Sequence, residues 1–244
     1  MPRLIQHIQT AFDQLLPPTC ILCGGAGDDG LDLCTGCRTD LPGIAPCCGR
    51  CALPLPPGRL DGALCGRCQR RPPPFEHCVA AFRYQDPLPA LVAGIKFRGR
   101  MNHLRLLGAL MADAIVDQRT TPTGAEAQDP DAIIPVPLHH RRLRERGYNQ
   151  ALELARHLSD RLDLPMDPHC CSRHRPTPPQ SSLERRARLT NVRGAFATHR
   201  RQDGRHLVIV DDVVTTGATV AELARSLRQA GATRVDVWCL ARTP

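Results

Sequence analysis

The chain has 244 residues, 42% of them hydrophobic, enough for one medium-sized domain with a real core and a small additional module. No apolar stretch is long enough to span a bilayer, and aromatic residues are only 3% of the chain, which leaves few platforms for stacking single-stranded bases. The net charge of +8 resides in residues 139–205, where 15 Arg accompany 7 acidic residues, a composition that favours nucleic acid or a substrate with several phosphates. The start, Met1-Pro-Arg-Leu-Ile-Gln-His7, lacks the charged region and apolar run of a secretory signal, so a cytoplasmic protein is expected. Leu4, Ile5, Ile8, Phe12, Leu15 and Leu16 predict a short amphipathic helix within residues 1–19, packed on the chain's own core.

Eight of the thirteen cysteines then form four Cys-x2-Cys pairs, Cys20/Cys23, Cys34/Cys37, Cys48/Cys51 and Cys65/Cys68, which start 14, 14 and 17 residues apart and suggest an internal duplication. Each pair offers two thiolates on one tight turn, and two turns complete a tetrahedral sulfur shell for Zn²⁺. Two structural zincs are expected over residues 20–70. The simpler assignment is sequential, with Cys20, Cys23, Cys34 and Cys37 on one ion and Cys48, Cys51, Cys65 and Cys68 on the other. An interleaved arrangement stays open, as does Cys47 in place of Cys48. Disulfides are the competing reading, disfavoured in a cytoplasmic chain. Four thiolates leave no open position, so such zincs fold the module instead of catalysing. Arg70-Arg-Pro-Pro-Pro74 reads as the linker out of it, and Cys78, Cys170, Cys171 and Cys239, which lack pair spacing, read as buried thiols.

Residues 79–244 alternate strand and helix patterns. Strands are predicted at Phe82–Tyr84, Ala132–Val136, 207–213 and Val235–Leu240. Helices are predicted at Leu88–Ile95, Leu104–Val116, Asn149–Leu162 and 219–230. This order implies an α/β domain with a parallel sheet covered on both faces. Lys96, the only lysine among 32 basic residues, lies in Gly94-Ile-Lys-Phe-Arg-Gly99 at an expected helix-to-glycine break. It reads either as a compact charge kept for a phosphate or substrate contact, or as a chance surface lysine. After the strand ending at Val136, a loop dense in Arg and His carries His139, Arg142, Arg144 and Arg146. A long polar stretch, Ser172–Arg193, follows the next helix.

The most informative run is His206-Leu-Val-Ile-Val-Asp211-Asp212-Val-Val-Thr215-Thr216-Gly217-Ala218-Thr219-Val220. Four apolar residues read as a buried parallel strand, two carboxylates follow, and a loop of small residues opens a helix. Open α/β sheets bind ligands at that edge. Backbone N–H groups entering a helix suit a phosphate, while paired carboxylates suit sugar hydroxyls or a Mg²⁺ held between sugar and diphosphate. A sugar phosphate is the ligand inferred.

Asp211-Asp212-x-x-Thr215-Thr216-Gly217-x-Thr219 resembles the phosphoribosyl-pyrophosphate (PRPP) motif of type I phosphoribosyltransferases. Ile134-Pro-Val-Pro-Leu-His139 with Arg144-Glu-Arg-Gly-Tyr-Asn-Gln150 resembles ComF proteins, the late-competence factors linked to uptake of transforming DNA, as do the four cysteine pairs. The resemblance implies a type I phosphoribosyltransferase fold over 79–244, preceded by a double zinc ribbon over 20–70. It implies ribose bound by Asp211 and Asp212, and 5′-phosphate cradled by Thr215, Thr216, Gly217, Ala218 and Thr219. Pyrophosphate would lie at His139, Arg142, Arg144 and Arg146, with Mg²⁺ accompanying PRPP. Arg175-x-Thr177-x-x-Gln180…Asn191 is similar to the mobile loop that closes over PRPP, which gives Gln180, Arg185, Arg188 and Asn191 a covering role. Lys96 and Arg185 are the catalytic candidates. Two functions follow. One is phosphoribosyl transfer with pyrophosphate release to an acceptor the sequence does not identify. The other is non-catalytic binding of single-stranded DNA in competence, with PRPP as ligand or regulator and a helicase-like ATPase as partner.

Overall fold

The structure, a computed structural model, describes residues 17–98, 100–120, 129–175 and 192–244. The apolar residues of the expected N-terminal helix and the expected covering residues Gln180, Arg185, Arg188 and Asn191 lie outside them. Residues 17–19 are not helical, and Thr19 is bridged to Ala26, so a helix does not run to the end of 1–19.

Strands β1 (Cys78–Arg83), β2 (Ala132–Pro135), β5 (His206–Val214) and β6 (Arg234–Arg242) line up in the order β1-β6-β5-β2, all parallel. Leu207 to Val210 are fully buried because helices cover both faces, which is why this strand reads as a continuous apolar run. On one face, Val220, Leu223, Ala224 and Leu227 of α7 (Ala218–Gln229) pack on Leu207, Ile209, Val235 and Val237. On the other, Val208, Val210, Trp238 and Leu240 meet α3 (Leu88–Arg98), α4 (Met101–Thr120) and α6 (Gln150–Leu162). Each leucine buried there contributes about 1.5–3 kcal/mol of transfer free energy, so the two faces stabilise the domain far more than any single polar contact.

Three elements depart from expectation. Strand β1 begins at Cys78 instead of Phe82. The Arg/His segment expected as a loop contains a helix, α5 (His140–Arg146), whose first turn is capped by the His139 ring accepting from Arg141 N at 3.3 Å and whose end is turned by Gly147. The polar stretch from Ser172 opens with a strand: β3 (Cys171–Arg173) pairs antiparallel with β4 (Phe196–Thr198). In addition, α3 continues through Arg98, so Lys96 sits in its last turn and no break precedes it. Gly94 serves packing there: a Cβ would lie 2.5 Å from Nδ1 of the buried His103 on α4.

The cysteine-rich segment, with two one-turn helices α1 (Thr35–Thr39) and α2 (Gly66–Arg70), straddles the sheet. Its first half joins the core on the α3/α4 side through Cys20, Leu33 and Leu41, and Arg38 pairs with Asp113 of α4 at 2.8 Å. Its second half packs Ile44, Ala52, Cys47 and Cys51 on the α7 side. The connection between the halves runs along the outer edge of β1, where Gly43 bridges Phe82, Arg83 N donates to Pro42 O at 2.9 Å and Arg83 Nη2 donates to Ala45 O at 2.8 Å. The opposite edge is covered by residues 165–167, which bond to both sides of Ile133. Neither sheet edge is left open. Cys78, Cys170, Cys171 and Cys239 are buried free thiols, as expected.

Candidate functional site

Two four-cysteine groups form, Cys20/Cys23/Cys34/Cys37 and Cys48/Cys51/Cys65/Cys68, with all sulfurs in each within 4.8 Å of one another. The pairing is sequential, which settles the interleaved alternative. Cys48 holds the vertex that was open to Cys47, whose backbone N–H instead donates to Asp61 at 2.8 Å. The groups fit zinc geometrically. A tetrahedral shell with Zn–S bonds near 2.3 Å places its sulfurs about 3.8 Å apart, and Cys23–Cys34 and Cys51–Cys65 both stand at 3.7 Å. Backbone amides already face the sulfurs, Cys37 N to Cys34 Sγ at 3.4 Å and Cys65 N to Cys48 Sγ at 3.3 Å. Zinc would supply folding energy here, with no open vertex for chemistry.

The second centre lies at the carboxyl edge of the sheet. Strand β5 delivers Asp211 and Asp212, and the chain then turns through Thr215 and Thr216 into α7. Gly217 makes the turn with φ +76°, a left-handed conformation costing a residue with a Cβ about 1–2 kcal/mol. Thr216 Oγ1 accepts from Ala218 N at 3.3 Å, tightening the entry into the helix. A small recess is lined by Thr215, Gly217, Ala218 and Thr219. Because β2 is the direct neighbour of β5, with Pro135 opposite Val210, its following segment arrives at the same edge.

These parts share one cleft of about 510 Å³, with Asp211, Asp212, Thr215 and Thr219 on one side and Lys96, Arg142, Arg146 and Arg173 among its other lining residues. Lys96 Nζ is 2.6 Å from Asp212 Oδ2. Burial opposes the charge of Lys96, but Asp212 and then Asp211 outweigh it and hold the ammonium above its ordinary range. The backbone carbonyl before it, Ile95 O, accepts from the Tyr148 hydroxyl, which anchors the end of α3 beside the cleft. Burial and the neighbouring Asp212 carboxylate push Asp211 up to about 7, with Lys96 and Arg173 pulling the other way.

The expected anion-binding residues divide. Arg142 and Arg146 line the cleft, with Arg146 Nη1 held by Gln150 Oε1 at 3.1 Å. Arg144 is exposed on α5 outside the cleft lining, and His139 is buried as the helix cap. Burial and His140 hold His139 below the ordinary histidine range. Arg173 was missed by sequence reasoning. It ends β3, is buried against the Phe196 ring at 5.6 Å, and burial together with Arg142 pulls its guanidinium down to about 10. A polyphosphate would bring further negative charge to these clustered cations. Gln150, the last residue of the Arg144–Gln150 run, also lines the cleft, as does Tyr84, which carried no distinguishing sequence signal.

A parallel sheet whose carboxyl edge carries an acid pair, a glycine-turned loop into a helix and a group of arginines, braced by two four-cysteine groups, defines a type I phosphoribosyltransferase-like domain joined to a double zinc ribbon. In agreement, residues 11–74 match the double zinc ribbon domain and residues 149–244 the phosphoribosyl transferase domain. The DNA utilization protein YhgH of Shigella flexneri is 39% identical over 231 residues, 93% of this chain and 98% of that protein. Competence protein F of Haemophilus influenzae is 34% identical over 229 residues, 91% and 96% of the two chains. A purine phosphoribosyltransferase of known structure from Pyrococcus horikoshii Ot3 is similar with a TM-score of 0.35 and 20% identity, covering 58% of this chain and 74% of that one. The chain belongs to the ComF family. Among the described residues no helix is long and apolar enough to cross a membrane.

Proposed function

We propose that this chain, with residues 20–70 as its ribbon and 79–244 as its catalytic-type domain, binds PRPP at the sheet edge and acts in the cytoplasm in DNA uptake. The observation that carries the reading is the cleft that gathers Asp211, Asp212, Thr215, Thr219, Arg142, Arg146 and Lys96, beside the recess lined by Gly217 and Ala218. In it the two carboxylates accept the ribose hydroxyls, and the loop amides with the dipole of α7 hold the 5′-phosphate. Arg142 and Arg146 face the pyrophosphate, and Arg173 adds positive charge behind them. Mg²⁺ carried with the diphosphate, held mostly through water, would supply charge neutralisation between ribose and pyrophosphate oxygens. With PRPP seated, Lys96 exchanges its Asp212 contact for a substrate oxygen. Transfer would break the C1–O bond to pyrophosphate as a nucleophile closes on C1, with the arginines stabilising the leaving charge. Asp212→Asn removes a ribose acceptor, so titration calorimetry with PRPP and Mg²⁺ should show binding to the wild type and at least tenfold weaker binding to the variant. Pyrophosphate release with candidate acceptors then decides transfer. A wild-type chain that does not bind PRPP overturns the assignment.

A second reading is favoured by the exposed Arg141, Arg144, Arg161, Arg175, Arg193 and Arg200, all within the basic segment. They suit single-stranded DNA held by its phosphates, with PRPP as a ligand and a helicase-like ATPase as partner. PRPP binding without turnover, together with DNA affinity falling steeply as salt is raised, is the expected signature.

A further inference from the structure

The phosphate loop is not held by its own domain alone. Arg67, exposed on α2 between the metal ligands Cys65 and Cys68, reaches across to donate from Nη1 to Thr216 O at 2.6 Å. Arg242, buried at the end of β6, donates from Nε to the carbonyl of Cys51, another ligand of the same group, at 3.1 Å. Its Nη1 donates to Val214 O at 3.0 Å and also to Thr215 O. Two guanidiniums tied to ligand residues of the second four-cysteine group therefore engage three consecutive carbonyls of the loop.

The consequence follows from peptide geometry. In a planar trans peptide the C=O of one residue and the N–H of the next point in opposite directions. Fixing the carbonyls of Val214, Thr215 and Thr216 on the arginine side turns the N–H groups of Thr215, Thr216 and Gly217 away from the arginines, and Thr215 and Gly217 line the recess. A cation on each carbonyl also polarises the peptide and strengthens its N–H as a donor to an anion. We propose that the second zinc knuckle is a positioning element of the phosphate site: its metal fixes Arg67 and the Cys51 carbonyl, and these, with Arg242, hold the loop in its anion-binding form. The first knuckle has a different post, on the far face of the sheet against α4, tied by Arg38 to Asp113. The two metal sites of the duplicated ribbon are thus unequal, and only the second is coupled to the ligand. The ligand in this proposal is PRPP, and to that extent it rests on the function proposed above.

The test uses the full-length, zinc-loaded chain and three variants, Arg67→Ala, Cys65→Ser and Cys23→Ser, read by amide hydrogen exchange across residues 213–220, by metal content and by PRPP titration. Arg67→Ala keeps both zincs, speeds exchange of the loop about tenfold without PRPP present, and weakens PRPP about tenfold, the scale of one charged hydrogen bond. Arg67→Lys restores part of both effects. Cys65→Ser loses the second zinc and loosens the loop at least as much, whereas Cys23→Ser loses the first and leaves loop exchange unchanged. Unchanged exchange in Arg67→Ala and Cys65→Ser overturns the clamp, as does an equal effect of Cys23→Ser, which would mark general destabilisation. Absence of PRPP binding by the wild type overturns the ligand assignment alone, because loop exchange is read without ligand and still decides the clamp.

Discussion

Asp211 is held in a place that suits a neutral group, and replacing it by Asn exposes the cost. The carboxyl titrates near 7 because burial and the neighbouring Asp212 disfavour its charge, against an ordinary value of 3.8. A folded-state pKa above the unfolded one means that Asp211 favours folding at low pH, and that this contribution drains away as pH rises from about 4 through about 7. Between pH 5 and pH 7 the loss is at most about 3 kcal/mol, from 1.36 kcal/mol per pH interval. Relaxation around the site reduces this to about 1.5 kcal/mol. Asn copies the shape of the protonated acid and does not titrate. Asp211→Asn should therefore gain on the wild type as pH rises, its melting temperature pulling ahead by about 3–6 °C between pH 5 and pH 8. Differential scanning fluorimetry of the zinc-loaded proteins over that range is the assay, and PRPP affinity at pH 8 should fall at least tenfold in the same variant. A melting difference that stays flat with pH, or reverses, refutes the assignment of a half-buried, ligand-awaiting carboxylate. A stabilised protein that binds PRPP as well as before refutes its role toward ribose.

Lys96→Met leaves Asp212 beside Asp211 without the ammonium at 2.6 Å. Because the pair is partly exposed, we expect a loss of about 2 kcal/mol at pH 8, seen as a melting temperature lower by about 4–8 °C, and no such loss in Lys96→Arg. Gly217→Ala forces a Cβ into φ +76° where its nearest neighbour, Val214 Cγ1, is 4.0 Å away, so the penalty is conformational. It should be about 1–2 kcal/mol in chemical denaturation, with PRPP binding weakened beyond that of the parent. Metal analysis of the purified chain should give two zincs, and stripping them with a chelator should remove the ordered signal of residues 20–70 in hydrogen exchange while much of the parallel sheet persists.

Much of the fold was readable from the sequence because its governing residues act locally. Leu207 to Val210 read as a strand buried on both faces, which put the acid pair and Thr/Gly loop after it at the carboxyl edge. The four Cys-x2-Cys pairs gave the ribbon and its ligand residues, while sequential against interleaved pairing and the vertex between Cys47 and Cys48 needed three dimensions. What escaped was set by contacts far apart in the chain. Helix α5 is seven residues of mostly charged side chains with no apolar stripe for periodicity to register, and its caps, His139 and Gly147, were its only local marks. Strand β1 begins at Cys78 because it pairs with Val237, more than 150 residues on. Arg173 looked like one arginine among many in a polar stretch, and its place in the cleft depends on β3 pairing with β4 across the residues between them. The link from Arg67 to Thr216 spans 149 positions and has no signature in either segment.

The stretch joining the two halves of the ribbon, laid along β1 by Gly43 and by the carbonyls of Pro42 and Ala45, has a consequence for how the chain is made. A strand at the margin of a parallel sheet is a template for any other extended peptide, and here the strip that occupies it is flanked by a metal site at each end. A chain released from the ribosome under zinc scarcity would hold a folded nucleotide-type domain with one flank bare. Its first available partner is the same flank on another newly made molecule. For this architecture, zinc scarcity is expected to lower the solubility of the newly made chain through that bare flank.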